Sequence, residues 1–233
     1  MLGTRGSDLA RAQTAMVEAA LRKEFPELEI AIEIIRTSGD EGTLRPPNER
    51  LVPQGRKGMF TAEIEQALLD GRIDVAVHSA KDLPSEITSG LEVCAALPRA
   101  AMEDVLISKM AGGLEALTKG ATVATGSVRR QFQLRRIRPD LEVVDLRGNV
   151  PTRLRKLSAN EWSGIILARA GLERLGYDCG RGAVHFESHV LHTTILPTAD
   201  FLPAGGQGIV ALQARTDDAD AKRALAAINH EET

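Results

Sequence analysis

The sequence predicts an α/β protein of two domains with a ligand cleft between them. Segments with helical periodicity alternate with short apolar runs along its 233 residues. This alternation is typical of βαβ units and parallel sheets. The composition is 43% hydrophobic but only 3% aromatic, so the core is aliphatic. Aliphatic strands are typical of sheets that are buried on both faces.

In the first half, local periodicity predicts each element in turn. Residues 7–24 predict a helix that Ser7 can cap, with an apolar stripe on one face. Residues 28–35 alternate apolar and polar side chains, which predicts a strand. Residues 38–58 are rich in Gly, Pro, Arg and Glu and predict a long mobile loop, a kind that is usually functional or disordered. A helix at 60–69 and buried strands at 73–78 and 91–97 complete this half.

The second half repeats the pattern without an internal sequence repeat. Predicted strands cover 121–124, 141–146, 165–168 and 208–213, and predicted helices cover 127–136, 170–175, 219–228 and a segment from 151. The chain is expected to cross between domains near 97–101 and near 198–206, where Pro and Gly are concentrated. One domain would therefore contain residues 1–97 and 204–233, and the other residues 98–203.

Eight arginines lie between residues 129 and 155, although the formal net charge of the chain is −3. Arginine binds carboxylate or phosphate through two parallel hydrogen bonds, so this stretch favours a small polyanionic ligand. Nucleic acid is disfavoured because such domains are usually basic and this one has few aromatic side chains for stacking. Arg135, Arg136 and Arg138 are interpreted as a solvated helix face.

The sequence gives little support to a membrane protein, a secreted protein or a metalloprotein. No apolar run is long enough to span a membrane, and Met1 is not followed by a signal peptide. The two cysteines have no disulfide or metal spacing, so a reducing cytoplasm is expected. We expect no metal, because His185, His189 and His192 have irregular spacing and are interpreted as loop histidines.

A polar cluster follows the buried strand that begins at Val75. His78, Ser79, Lys81 and Asp82 lie at its carboxyl end, where ligands bind in open α/β sheets. Asp82 could stabilise a cation or move a proton. An ordinary surface turn with a Lys–Asp pair explains the same residues, and composition alone leaves both interpretations open.

Two strand-to-helix junctions carry arginines. Residues 125–130 include Ser127, Arg129 and Arg130, and residues 146–150 include Arg147, with Arg153 following in the next helix. Helix N-termini favour anions because their N–H groups have no intrahelical acceptor. Simple capping explains either junction alone, but two consecutive junctions with arginines favour one anion site at which these side chains converge.

In these motifs the chain resembles the porphobilinogen deaminases, also called hydroxymethylbilane synthases. The matching segments run in family order through nearly the whole chain. They are Gly3-Thr4-Arg5-Gly6-Ser7 with Leu9, Ala10 and Gln13; Gly58-Met59-Phe60; residues 76–84; Thr125 with residues 127–131; residues 146–150 with Thr152 and Arg153; residues 170–172; residues 174–176; and Gly206-Gln207-Gly208.

The resemblance implies a fold like that of type II periplasmic binding proteins, followed by a small third domain. It implies condensation of porphobilinogen into a linear tetrapyrrole on a covalent dipyrromethane cofactor, by a cytoplasmic monomer. Asp82 would be the catalytic carboxylate. The loop residues Lys57 and Phe60 would belong to a lid. The substrate- and cofactor-binding residues would be Arg5, Ser7, Gln13, Ser79, Lys81, Thr125, Ser127, Arg129, Arg130, Arg147, Gly148, Arg153, Arg174 and Gln207.

The chain also departs from the family pattern. The family attaches its cofactor to a cysteine of the third domain, and this chain stops near Asn229, where that domain would begin. Cys94 and Cys179 lie outside such a motif and are interpreted as small buried residues, with Cys179 the more accessible. Gly126 stands where the family usually has Ser, and residues 183–196 do not look like the usual linker.

These departures leave two hypotheses. The chain is a porphobilinogen deaminase, either shortened or a fragment, and is inactive as given. Alternatively, it is a non-catalytic two-domain protein that binds small anions. A covalent dipyrromethane would add mass to the chain, so the intact mass discriminates between the two.

Overall fold

The computed structural model describes residues 1–37 and 61–233. The predicted loop at 38–58, and with it Lys57 and Phe60, lies outside the described residues. The described chain divides into two compact units. The first contains Met1–Ala100 and Ile209–Thr233, and the second contains Ala101–Gly208.

The described residues of the first unit form one five-stranded sheet and three helices. Its sheet has the order β2-β1-β3-β11-β4, in which β1, β2 and β3 are parallel and β11 is antiparallel to both of its neighbours. The strands are β1 (Leu2–Arg5), β2 (Ile32–Ile35), β3 (Val75–Ser79), β4 (Leu91–Ala96) and β11 (Val210–Arg215), and the helices are α1 (Asp8–Glu24), α2 (Ala62–Leu69) and α6 (Ala219–Ala226).

Both faces of this sheet are buried, which explains its apolar strands. Helices α1 and α6 contribute Val17, Leu21 and Leu225 to a core on one face. Helix α2 covers the other face with Ile64 and Leu68. The predicted cap of α1 is confirmed, because the Ser7 side chain accepts a hydrogen bond from the backbone N–H of Ala10. An N-cap of this kind satisfies one of the N–H groups that a helix leaves unpaired.

The second unit is built on a six-stranded sheet with the order β7-β6-β8-β5-β10-β9. Strands β6, β7 and β8 are parallel, whereas β5 runs antiparallel to β8 and to β10. The strands are β5 (Asp104–Ser108), β6 (Thr122–Ala124), β7 (Glu142–Val144), β8 (Gly164–Ala168), β9 (Ala183–Phe186) and β10 (His189–Leu196), and the helices are α3 (Val128–Ile137), α4 (Val150–Ala159) and α5 (Arg169–Glu173).

Strand β5 shows how this sheet is buried on both faces. Val105 and Ile107 face a core that includes Leu154 and Leu157 of α4. Leu106, which points the other way, joins a second core with Leu134 of α3. Consecutive apolar residues are expected in a strand that is covered on both sides.

The sheets differ from the predicted parallel arrangement. Each is mixed, because β11 in the first sheet and β5 and β9 in the second run against their neighbours. Strand β5 was not predicted, and the strand predicted from residue 28 begins only at Ile32. The other predicted helices and strands in the described residues are present, with ends that differ by a few residues.

Residues 183–196 correct a second expectation. They form the antiparallel hairpin of β9 and β10 and are not a loop. Val184 pairs with Leu191 on the buried face, whereas His185 pairs with Val190 on the exposed face. The histidines hid the strand period, because His185 and His189 are both exposed although they belong to opposite faces of the hairpin.

The interpretation of three arginines also changes. Arg138 lies just beyond α3 and donates to the carbonyl oxygens of Leu114 and Leu117 and to Asp140, so it ties the helix end to a neighbouring loop. Arg136 donates to the carbonyl oxygen of Asp200 at 3.1 Å. Of the three, Arg135 fits the predicted solvated face.

None of the helices in residues 1–37 and 61–233 is long and apolar enough to cross a membrane. In the same part of the chain, no group of three or more His, Cys, Asp or Glu side chains is arranged to hold a metal ion.

Candidate functional site

The carboxyl ends of β1 and β3 bring the first group of predicted site residues together. These strands are parallel neighbours, so their ends meet at one edge of the first sheet. Arg5 ends β1, and Ser7 caps the helix that follows it. Ser79 ends β3, and Lys81 and Asp82 follow in a short 3₁₀ turn. The edge therefore combines cationic side chains, a helix N-terminus and two carboxylates, which are Asp82 and the exposed Asp8 in the first turn of α1.

Gln13 links the helix α1 to the end of β3. Its side chain is buried, and its Nε2 lies 2.9 Å from the Ser79 hydroxyl oxygen. The same hydroxyl lies 3.2 Å from Gln13 Oε1, so the hydroxyl can either accept from or donate to the amide. This contact holds Ser79 in place, immediately before the turn that carries Lys81 and Asp82. Asp82 itself is partly exposed and can reach a ligand.

A second group lies at one edge of the second sheet. The parallel strands β6, β7 and β8 each end there, at the first residues of α3, α4 and α5. Strand β5 runs in the opposite direction, so its first residue, Asp104, pairs with Ala168 at the same edge. The nine predicted residues at this edge are Thr125, Ser127, Arg129, Arg130, Arg147, Gly148, Arg153, Arg174 and Gln207.

The N-terminus of α3 is held in a defined geometry. The Ser127 side chain accepts from the backbone N–H of Arg130, and the Thr125 hydroxyl accepts from the N–H of Ser127 at 3.3 Å. Thr125 is buried, whereas Ser127 is partly exposed. The site therefore presents a capped helix start, which favours an anion.

Asp104 binds both arginines of this helix start. Its Oδ2 accepts from Arg129 Nη2 and its Oδ1 from Arg130 Nη2, both at 2.7 Å. Gln207 Nε2 donates to the same Oδ1 at 2.8 Å. Burial raises the pKa of Asp104, but the charges and hydrogen bonds of Arg130 and Arg129 outweigh it and the pKa is lowered. Asp104 is fully buried, and it is its two arginine partners that keep it ionised in the folded protein.

This arrangement separates the roles of the two arginines. Arg130 is buried, and its Nη1 donates to the carbonyl oxygen of Ile166 at 2.9 Å. The side chain of Arg129 remains about one quarter exposed, with relative accessibility of 26%. Arg129 also donates to the carbonyl oxygen of Leu202. Of the pair, Arg129 is therefore better placed to meet a ligand.

Sequence reasoning missed Asp104. The available signal was a single acidic residue immediately before the apolar run of residues 105–107. A carboxylate that begins a buried strand needs a cationic partner, because an unpaired buried charge is costly.

The junction after β7 presents a more accessible arginine. The side chain of Arg147 is 53% exposed and pairs with Asp145 at 2.8 Å. Arg153 Nε donates to the carbonyl oxygen of Gly148 at 2.6 Å. Gly148 has φ of 116°, and a Cβ there would lie 2.7 Å from Thr152 Cγ2, so glycine is required for this turn.

Arg174 follows α5 and is poorly satisfied. Its Nη2 donates to the carbonyl oxygen of Gly208 at 2.7 Å. Its Nε is buried and finds no hydrogen-bond acceptor among the described residues. Burial lowers the pKa of Arg174. A ligand carboxylate would supply the missing acceptor.

The two thiols lie apart from these groups. Cys179 is buried in the core of the second unit, and burial raises its pKa to about 11. Cys94 is half-buried on β4, and burial raises its pKa as well. The expectation that Cys179 is the more accessible thiol was wrong, because its 3₁₀ turn (Cys179–Arg181) packs against β9 and β10.

A surface pocket of about 580 Å³ lies beside Cys94, between β4 and α6. Glu92, Asp217, Lys222 and Arg223 contribute charges of both signs to its lining. The pocket contains none of the predicted site residues, so it does not mark the site proposed from the sequence.

Comparison with solved structures places the fold in the class of type II binding proteins. A periplasmic substrate-binding protein of an ABC transporter from Coxiella burnetii aligns with a TM-score of 0.54 at 15% identity, covering 97% of this chain and 90% of that structure. The methionine-binding protein MetQ aligns with a TM-score of 0.53 at 13% identity, covering 99% and 90%. At such identities these alignments show a shared fold and nothing more.

Sequence comparison identifies the family. The family model described as "Porphobilinogen deaminase, dipyromethane cofactor binding domain" matches residues 1–223. Porphobilinogen deaminases from Syntrophomonas wolfei and Nitrobacter winogradskyi are 44% and 47% identical to the chain, and each covers all of it. The chain spans 71% and 69% of those relatives. The chain belongs to the porphobilinogen deaminase family.

The described residues fit the cofactor of that family. Dipyrromethane carries acetate and propionate groups, which need cationic or N–H donors. The capped start of α3, the half-exposed Arg147 and the buried, unsatisfied Nε of the half-buried Arg174 supply such donors. The thiols of Cys94 and Cys179 fit less well as attachment points, because burial keeps both protonated.

Proposed function

We propose that this chain carries the catalytic site of a transferase that condenses four porphobilinogen units, with loss of ammonia, into a linear tetrapyrrole of porphyrin and heme biosynthesis. Membership of the family supports this function. The observation that carries it is Asp82, a partly exposed carboxylate that follows Lys81 at the end of β3, where Arg5, Lys81 and the N-terminus of α1 supply anion-binding groups.

The excess of cationic donors matches the substrate. Each pyrrole unit brings two carboxylates, so a chain of pyrroles is a polyanion. Arg5, Lys81 and the start of α1 would bind carboxylates at the first edge, and Arg129, Arg147, Arg153 and Arg174 at the second. Guanidinium forks suit this task because each can hold both oxygens of a carboxylate. Arg130 would contribute by fixing Asp104 and the helix start.

Asp82 would act on the one positive charge of the reaction. The C–N bond of the aminomethyl group breaks, ammonia leaves, and a cationic pyrrole forms. An ionised carboxylate fixed nearby stabilises that cation most strongly in the transition state. A C–C bond then forms, and the attacked ring carbon loses a proton, which a carboxylate can accept. Bound dipyrromethane supplies the ring to which the first substrate unit is joined.

The setting of this reaction is also proposed. The two unpaired thiols fit a reducing cytoplasm. The net charge of −3 and the scarcity of aromatic side chains support a small-molecule substrate over nucleic acid. We propose a monomer without membrane attachment, and we assign Lys57 and Phe60 to a lid on the strength of the family motif.

The test is replacement of Asp82 by Asn in a protein that joins this chain to the cysteine-bearing domain of a relative. Tetrapyrrole formation from porphobilinogen should fall about a hundredfold or more, because the stabilising charge is lost while the side-chain shape is kept. Glu86→Gln is the matched control, since Glu86 is an exposed acid in the same segment. Its turnover should match that of the parent protein.

This experiment also separates the enzyme from the anion-binding alternative. An enzyme that uses Asp82 should bind porphobilinogen and turn it over, and should lose turnover on Asp82→Asn. A non-catalytic binding protein would bind the same ligand without tetrapyrrole formation even in the joined protein. Turnover of Asp82→Asn within a few-fold of the parent would remove Asp82 from the chemistry.

A further inference from the structure

Gln207 is assigned to ligand binding by the family resemblance, but its side chain lies inside the second unit. The residue is only 1% exposed. Its Nε2 donates to the carbonyl oxygen of Met102 at 2.7 Å and to Asp104 Oδ1 at 2.8 Å. An amide nitrogen carries two hydrogens, so each of them has an acceptor at close range. The amide is therefore placed to hold protein groups and is not placed to touch a ligand.

The orientation of this amide is fixed by chemistry. Backbone carbonyl and ionised carboxylate oxygens only accept hydrogen bonds, so Gln207 must turn its NH₂ group towards Met102 and Asp104. The Met102 carbonyl belongs to the backbone and cannot turn away by a change of rotamer. The bonds of Gln207 consequently hold one oxygen of Asp104 at a set distance from the chain that leads into β5.

The glycines on either side of Gln207 allow the backbone to make a tight turn. Gly206 and Gly208 have φ of 70° and 90°, a conformation that favours glycine. The backbone N–H of Gln207 donates to the carbonyl oxygen of Ala204 at 3.1 Å. The motif Gly206-Gln207-Gly208 is thus a turn that carries one buried amide, at the point where the chain leaves the second unit.

The two oxygens of Asp104 have different partners. Oδ1 accepts from Arg130 Nη2 and from Gln207, whereas Oδ2 accepts from Arg129 Nη2. Local sterics restrict the rotation of an aspartate carboxylate about its last side-chain bond only weakly. The two donors on Oδ1 therefore set this rotation. The rotation in turn decides where Oδ2 lies, and with it the guanidinium of Arg129.

Arg129 is the arginine of the pair that a ligand can reach. Its side chain is 26% exposed, whereas Arg130 is buried. Arg129 donates from Nη1 to the carbonyl oxygen of Leu202 and from Nη2 to Asp104. These two bonds fix the plane of the guanidinium and use two of its five N–H groups, so other N–H groups remain for a ligand carboxylate. A displaced Oδ2 would therefore displace the donors that meet the ligand.

We propose that Gln207 is a positioning residue, which holds Asp104 in the rotation that aims Arg129 at a carboxylate of the ligand. The proposal replaces the ligand-binding role that the family resemblance implies for Gln207. It rests on the anion site of the proposed function, in which Arg129 binds a carboxylate of the pyrrole substrate.

The first test observes Arg129 directly in the ligand-free 233-residue chain. Arginine-labelled protein is studied by ¹H–¹⁵N correlation of the guanidinium groups at low temperature, with Arg129 and Arg147 assigned from the Arg129→Lys and Arg147→Lys variants. We expect slow rotation about the Nε–Cζ bond of Arg129, because its two Nη atoms are bonded to different acceptors, and fast rotation for the half-exposed Arg147. Gln207→Met should speed the rotation of Arg129. Fast rotation of Arg129 in the unmodified chain would overturn the proposal without requiring any variant to fold.

The second test measures whether Gln207 acts through Arg129. Porphobilinogen is titrated calorimetrically into the parent chain and into Gln207→Met, Arg129→Gln and the double variant, each shown to be folded by circular dichroism. Gln207→Met should weaken binding about fivefold, but it should change affinity little once Arg129 is already Gln. A general loss of packing would instead weaken binding equally in both backgrounds.

Gln66→Met is the matched control. Gln66 also donates to an aspartate, Asp70, at 2.8 Å, but this bond lies on the exposed surface of α2. Removal of the bond should leave both the porphobilinogen affinity and the rotation of Arg129 as they are in the parent chain.

The outcomes separate this proposal from the proposed function. If Arg129→Gln weakens binding and Gln207→Met has its full effect in both backgrounds, only the positioning role is overturned. The same conclusion follows if Gln207→Met changes neither the affinity nor the rotation of Arg129. If Arg129→Gln leaves porphobilinogen affinity unchanged, Arg129 is not part of the anion site, and the positioning role fails with it.

Discussion

At the scale of single residues, the candidate site in the second unit contains an internal anion beside its arginines. Asp104 holds Arg129 and Arg130 in place before any ligand arrives. A pre-oriented guanidinium binds a ligand at lower entropic cost than a mobile one. Clustering of arginines in the sequence predicted an anion site, but the sequence could not show that Asp104, 25 residues before Arg129, already pairs with two of these arginines.

Asp104 should consequently be important for stability. Asp104→Asn leaves two arginines beside a neutral side chain and should lower the free energy of unfolding at pH 7 by about 3 kcal/mol. Asp145→Asn, which removes an exposed partner of Arg147, should cost at most about 1 kcal/mol. Urea unfolding followed by circular dichroism measures both. Equal losses in the two variants would contradict a special role for Asp104.

The ion pairs of Asp104 also predict how the stability of the protein changes at acid pH. The pKa of Asp104 is lower in the folded protein than its ordinary value of 3.8. Its contribution to stability is therefore present above about pH 4 and is lost as pH falls through the lower folded value. The difference in stability between the parent chain and Asp104→Asn should accordingly shrink in that acid range.

At the scale of elements, helices and parallel strands were predictable and the antiparallel strands were less so. Helix α1 has a long apolar stripe and a capping serine, so local sequence determines it. The hairpin of β9 and β10 was misread because its histidines fall on both faces, since His185 pairs with the exposed Val190 whereas His189 pairs with the buried Phe186. Strand β5 is five residues long and is specified by pairing with β8 and β10, which are distant in sequence.

Gly126 shows how tightly two of these elements approach. A Cβ built at Gly126 would lie 2.5 Å from the carbonyl oxygen of Leu146, at the end of the neighbouring β7 segment. Since that oxygen belongs to the backbone, it cannot move away by changing a rotamer. The serine that the family usually carries at this position therefore requires a small shift between the two βα junctions.

Gly126→Ala should accordingly destabilise this chain by about 1–3 kcal/mol through backbone displacement. Gly205→Ala is the control, because a Cβ at Gly205 meets no atom within 4 Å among the described residues. It should change stability by no more than about 0.5 kcal/mol. Thermal unfolding of both variants tests this prediction. An unchanged unfolding midpoint for Gly126→Ala would show that the two βα junctions can move apart without a loss of stability.

At the scale of the whole molecule, each unit repeats one chemical plan. Parallel strands end at one sheet edge, and helix starts and arginines follow them, as at Arg5 in the first unit and Arg147 in the second. This plan was predictable because strand ends and turn residues are local features. The buried hydrogen bonds that join Glu65, Gln213 and His78 were not predictable. These residues are 13 to 148 positions apart in sequence and meet only through tertiary packing.

The behaviour of the whole polypeptide towards its substrate follows from its two thiols. Covalent attachment of dipyrromethane needs a thiolate, and a thiol with a pKa of about 11 is almost entirely protonated at pH 8. Cys94 is more accessible, but its pKa is also raised by burial and by Glu92. We therefore expect a polypeptide of these 233 residues, incubated with porphobilinogen, to form no hydroxymethylbilane at a useful rate and to show no mass increase.

The measurement is intact-protein mass spectrometry together with an assay for tetrapyrrole, with the chain joined to a relative's cysteine-bearing domain as the positive control. Alkylation of native and urea-unfolded chain provides the check on the thiols. Cys94 should react faster than Cys179 in the native chain, because it is half-exposed, and both should react fully once burial is removed. A dipyrromethane adduct mapped to either cysteine, or tetrapyrrole formed at a useful rate by the 233-residue chain, would contradict this prediction. It would show that burial does not make these thiols unreactive and that one of them can hold the growing pyrrole chain.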